Sequence, residues 1–125
     1  MSLLLDTHAL LWWLSDAPAL KAEARETIAE ASGVVYVSAA SAWEISIKKA
    51  LGKLDSPDDL QAALVASHFQ SLPITIVHAT NAGQLPRHHD DPFDRMLIAQ
   101  AQAEQLTLVT HDTMFRPYGI PIIWT

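Results

Sequence analysis

Four carboxylates of this chain stand where chemistry is easily built. Asp6 directly follows the apolar run "SLLL" (2–5), and Asp112 stands two residues after "LTLVT" (106–110). Glu44 lies in "AWEISIKKAL", and Asp94 lies in "HHDDPFDR" at 88–95. Several carboxylates pointing together repel one another unless a cation sits between them. Oxygen donors select hard cations, so Mg²⁺ is the natural occupant, with Mn²⁺ as its substitute. Such a centre activates a water, shields a phosphate and stabilises a leaving oxygen, which makes phosphodiester hydrolysis the reaction class. The chain has no cysteine, so thiolate zinc sites, thiol nucleophiles and disulfides are excluded. His88 and His89 suggest zinc, but no paired His or Cys elsewhere stands at zinc spacing. They read as residues flanking a cleft.

The elements that must position these acids are legible. "SLLL" (2–5), "VVYV" (34–37), "ITIV" (74–77), "LTLVT" (106–110) and "IPIIW" (120–124) read as strands, apolar without alternation. Helices are expected in "THALLWWLS", in "PALKAEARETIAEAS" with Pro18 in its first turn and Gly33 as its stop, and through "AWEISIKKAL". Ser38 and Ser41 are candidate caps for the last of these, which Gly52 closes. "SPDDLQAALVASHF" reads as a helix capped by Ser56 with Pro57 at its first position. "HATNAGQL" is a short helix or turn ended by Pro86, and "DPFDRMLIAQAQAEQ" is a helix capped by Asp91. Short apolar strands separated by helices imply a parallel sheet covered on both faces. Such sheets bind ligands at the carboxyl ends of their strands, beside a topological switch point.

Each acid also has a local reading. Asp6 could cap the helix from Thr7, Glu44 could pair with Lys48, and Asp112 could cap a turn in "TMFRPY". Asp94 could be the favoured acid in the first turn of its helix. Yet Asp94 shares a face with Leu97, Ile98 and Ala101, and Glu44 shares one with Ile47 and Leu51. Carboxylates seldom face a core unless paired or bound to metal.

At 125 residues, half of them apolar, the chain is expected to form one domain, residues 1–125. The start carries Asp6 and His8 within its apolar run and has no basic lead-in, so neither a signal peptide nor a membrane span is expected. A cytoplasmic location is. Fourteen carboxylates against eight Lys and Arg disfavour grip on nucleic acid by bulk charge, unless cations bound at the acids recruit the phosphate. Lys48, Arg95 and Arg116 are candidate contacts to the phosphates of a nucleic acid, with Lys49, Lys53 and Arg87 nearby in sequence. Each also reads as part of a solvated face. Trp12 and Trp13 are about 100° apart on a helix, so both cannot fully face one core. One is available for an interface with a partner.

The strings "LLLDTHALLWWL", "SAASAWEISIKKALGKL", "HHDDPFDRMLIAQA" and "LTLVTHDTMFRPY" occur in order over nearly the whole chain. In these the chain resembles the PIN-domain ribonucleases, in particular the VapC-like toxins of type II toxin–antitoxin pairs. The resemblance implies a three-layer α/β/α fold with a five-stranded parallel sheet in the order 3-2-1-4-5. It implies a metal-dependent endoribonuclease with Asp6, Glu44, Asp94 and Asp112 as catalytic and metal-binding acids and Thr110 in the supporting hydroxyl position. It further implies an RNA substrate, a homodimer and a small antitoxin partner. Two other classes use acids at strand ends around Mg²⁺. A receiver domain needs an aspartate after its third strand, where "ITIVHAT" offers none. A haloacid-dehalogenase-like phosphatase needs an aspartate where this chain has His8. A catalytically silent binding module stays open.

Overall fold

The computed structural model describes residues 1–125. Five strands form one parallel sheet in the order β3-β2-β1-β4-β5: β1 (Leu3–Leu5), β2 (Val35–Ser38), β3 (Gln70–Leu72), β4 (Thr107–Thr110) and β5 (Ile122–Trp124). β1 is central, with Leu5 in register with Val37 on one side and Val109 on the other. The helices are α1 (Thr7–Leu14), α2 (Ala22–Ala29), α3 (Ala39–Ala50), α4 (Leu60–Ala66), α5 (Ile76–Gln84) and α6 (Pro92–Glu104). A 3₁₀ turn, Thr113–Tyr118, joins β4 to β5.

The three layers follow from alternation along the buried strands. Leu3, Leu5, Val35, Val37 and Val109 face one side, packing with Leu10 of α1, Ile28 of α2, Ile45 of α3 and Leu64 of α4. Leu4 and Leu108 face the other side, packing with Leu97, Ile98 and Ala101 of α6 and with Phe115. The strand order reverses between β1 and β4, so the switch point lies just beyond Leu5 and Thr110.

Four expectations are corrected. Ile74–Val77 is not the third strand. β3 lies at Gln70–Leu72, and Ile76 and Val77 open α5. Thr75 and His78 form a reciprocal capping box there, which starts a helix where a β-branched run suggested a strand. The true strand carries exposed Gln70 and Ser71 at the sheet edge and is held by backbone pairing with β2, so its side chains gave no apolar signal. Pro18 does not open the second helix. It sits in a turn, and α2 begins only after Lys21, whose N–H donates to Thr125 Oγ1 at 3.2 Å. Gly33 does not stop that helix, which ends at Glu30. A Cβ at Gly33 would lie 2.6 Å from the Met1 carbonyl oxygen, so glycine is required by the close approach of the N-terminal segment. Ser56 and Pro57 do not start α4. Lys49 Nζ donates to the Ser56 carbonyl at 3.0 Å and ties that segment to α3, and Asp59 caps the helix by accepting from Ala62 N at 3.0 Å.

Candidate active site

Asp6 is the residue at which β1 becomes α1. One carboxylate oxygen accepts from Ala9 N at 2.8 Å and caps the helix, and the other accepts from the Thr110 hydroxyl at 2.5 Å. Thr110, fully buried at the end of β4, also accepts from Asp112 N at 3.0 Å. One hydroxyl thus ties the loop after β1 to the loop after β4 across the switch point. Burial pushes the Asp6 carboxyl above its usual value, and the bonds from Thr110 and Ala9 oppose that shift.

Asp94 stands at the third position of α6, where its N–H donates to the capping Asp91 at 3.0 Å. Its carboxylate meets His89 Nε2 at 2.7 Å. Desolvation raises the Asp94 pKa to about 7, the charges of Asp91 and Asp6 push the same way, and His89 opposes them. Asp112 caps the 3₁₀ turn by accepting from Met114 N at 2.9 Å. Ligand atoms of His89, Asp94 and Asp112 all lie within 4.8 Å of one another, a spacing that suits a single metal ion. Their hydrogen bonds engage one oxygen each of Asp94 and Asp112, leaving the other available.

Glu44 is buried in α3 but is not part of that trio. Its two oxygens accept from the Thr7 hydroxyl at 2.7 Å and from Lys48 Nζ at 2.8 Å. Glu44 in turn holds the Lys48 ammonium above its ordinary pKa, chiefly through that hydrogen bond. The local and collective readings of the acids therefore coexist. The caps and the ion pair fix the backbone, while Asp94 and Asp112 gather with His89 and Asp6 reaches Asp112 through Thr110.

His89 is not a bystander, as its place in "HHDDPFDR" suggested. It sits five residues before Asp94 in a loop, where no periodicity reports which way a side chain turns. Arg95 has a local task. Its guanidinium donates to the carbonyls of Ala82, Leu85, Pro86 and His89 at 2.9–3.1 Å, so it clamps the loop between α5 and α6. Lys48 is engaged by Glu44, whereas Arg116 lies exposed with its guanidinium 5.0 Å from the Trp124 ring centre.

The neighbouring tryptophans divide. Trp13 packs inward on Phe69 and donates from Nε1 to Ser67 Oγ at 3.1 Å. Trp12 packs instead against His8 and His111, with ring centres 5.9 and 4.7 Å away. The largest cavity, about 520 Å³ and lined by Trp13, Ile28 and Phe69 among others, reaches the starts of β2 and β3, away from the acids.

A donor set of carboxylates, one imidazole and a desolvated, mutually repelling Asp94 fits a divalent cation, whose charge would relieve that repulsion. Fold and site together define a three-layer α/β domain with a parallel sheet and acids at its switch point. The sequence profile of the PIN domain matches residues 3–120, and the chain belongs to that family. Ribonuclease VapC22 of Mycobacterium tuberculosis (strain ATCC 25618 / H37Rv) is 30% identical over 129 aligned positions, which cover 96% of this chain and 94% of that protein. Among solved structures, the DNA-bound VapBC2 of Rickettsia felis matches with a TM-score of 0.73 at 17% identity, covering 98% of each chain. The DNA-bound VapBC of Salmonella typhimurium matches at 0.70 and 20%, covering 98% of this chain and 97% of that one. Family membership sets aside the receiver and phosphatase readings of the same acids.

Proposed function

We propose that this single-domain chain is a Mg²⁺- or Mn²⁺-dependent endoribonuclease and the toxin of a toxin–antitoxin pair. The observation that carries the reading is the approach of Asp94 and Asp112 to each other, with Asp6 linked to them through Thr110 and the Asp94 carboxyl raised to about 7 chiefly by desolvation and also by its acidic neighbours. A bound divalent ion supplies Lewis acidity and a water of lowered pKa. Asp94 and Asp112, with His89, offer its ligands. Asp6 joins them through the Thr110 bridge. Glu44, held by Thr7 and Lys48, orients the attacking water or accepts its proton. Water adds to phosphorus in line, the P–O3′ bond breaks, and the products carry 5′-phosphate and 3′-hydroxyl ends. The 2′-hydroxyl is not required as nucleophile.

The similar ribonuclease supports the substrate class, and the toxin–antitoxin complexes among the structural neighbours support an antitoxin partner. Exposed apolar side chains, Ile76 at 84% and Val77 at 61%, favour a homodimer that would cover some of them. No helix is long and apolar enough to cross a membrane, and we place the protein in the cytoplasm. The test is cleavage of RNA by the purified chain. Activity should need Mg²⁺ or Mn²⁺, vanish in EDTA, and fall at least about 100-fold in Asp6→Asn and Asp94→Asn. Undiminished cleavage in EDTA or in both variants would overturn the reading.

A further inference from the structure

Beside the acids stands a group of rings that metal-assisted hydrolysis does not use. His8 follows Asp6 by two residues, and His111 immediately precedes Asp112. Both are exposed, and their ring centres are 5.6 Å apart with planes at 87°. Trp12, half-buried, lies behind both, tilted against His8 at 5.9 Å and His111 at 4.7 Å. Neither histidine makes a side-chain hydrogen bond like those of His78 and His89, so packing against Trp12 and against each other is what positions them.

The cations cannot supply much of the affinity for a polyanion. The chain carries a net charge of −6, Lys48 is paired with Glu44, and Arg95 is spent on four carbonyls. Proteins that bind unpaired RNA have a second source of affinity, the stacking of bases on aromatic rings. We propose that His8 and His111, backed by Trp12, form a stacking site for an unpaired base next to the scissile phosphate. Two rings at right angles give a base a face to lie on and an edge beside it, so the site also discriminates by base size and placement. The proposal rests on the ribonuclease reading and adds to it a requirement that the substrate be single-stranded at the cut.

The experiment begins with total RNA and the wild-type chain in Mg²⁺ or Mn²⁺. Cuts are mapped, and a single-stranded oligoribonucleotide spanning one is made intact and with an abasic ribose at each position flanking the cut. His8→Ala and His111→Ala should raise KM for the intact oligonucleotide about 5- to 100-fold with kcat held within a few-fold, the loss expected of one stacked base. His111→Phe, which keeps a ring face and loses the ring nitrogens, should restore KM. One abasic position should weaken the wild type by a similar factor and leave the alanine variants no worse. If wild type cuts the oligonucleotide but both alanine variants match its KM, the stacking site is wrong and the ribonuclease reading stands. Failure of Phe at position 111 to restore KM also refutes stacking, because it assigns the effect to the imidazole nitrogens. If wild type cuts no RNA in either metal, the ribonuclease reading itself fails and takes the stacking site with it.

Discussion

Asp94 shows how one side chain links folding to chemistry. Its folded pKa of about 7 stands above the usual carboxylate value of 3.8, so the metal-free folded state binds a proton that the unfolded chain releases. Stability should then fall as pH rises from about 4 through 7, the native state being the one that holds more protons. Asp94→Asn cannot ionise. It should flatten that slope and raise metal-free stability at pH 8 by on the order of 2 kcal/mol, measured by denaturant titration at several pH values. An unchanged slope would show that the carboxyl is not buried as described. Metal binding should release a proton below pH 7, since cation and proton compete for the same oxygen, and calorimetry in buffers of different ionisation enthalpy would count it. The sequence named Asp94 through its place above Leu97, Ile98 and Ala101, all of which are buried. It missed His89, whose loop has no period to read.

At the scale of elements, the α5–α6 connection depends on Arg95. Four carbonyls of residues 82–89 converge on its guanidinium, and truncation would leave them to find water or stay unpaired. Arg95→Ala should cost about 2–3 kcal/mol by thermal or denaturant unfolding, since hydrogen bonds from a charged group contribute more than neutral ones. It should also weaken metal binding, because the same loop carries His89. A loss of stability with metal affinity intact would separate the clamp from the site. The elements legible in the sequence were those with a one-sided apolar stripe or a buried strand core, such as β1, β4 and α6. Those misread were set by contacts distant in sequence or by local polar bonds. β3 exists because β2 offers it a backbone ladder, and α4 starts at its Asp59 cap, after a segment tied to Lys49. Thr75→Ala should cost α5 about 1 kcal/mol through its lost cap, read out by denaturant unfolding.

For the whole molecule, a net charge of −6 sets how it meets RNA. If stacking and a bound cation supply most of the affinity, few monovalent counterions are released on binding. The slope of log affinity against log salt should then be shallow, about −1.4 to −2.1, corresponding to two or three phosphates at about 0.7 each for single strands. A slope steeper than about −4 would require a basic surface that the chain does not have. The fold class was readable at this scale because five short apolar segments and the helices between them admit few arrangements. The approach of Asp94 and Asp112 to each other, with Asp6 linked to Asp112 through Thr110, followed from the rule for strand ends, not from any one spacing.

The bond from Thr110 to Asp6 spans 104 residues of chain. β1 stays without its β4 neighbour until the segment through Thr110 has been translated. A chain still emerging from the ribosome therefore carries Asp6 without the hydroxyl and the second acid that complete its surroundings. If the protein cuts RNA, the machine that makes it is shielded from it by timing: the active arrangement cannot form before Thr110 and Asp112 have been made.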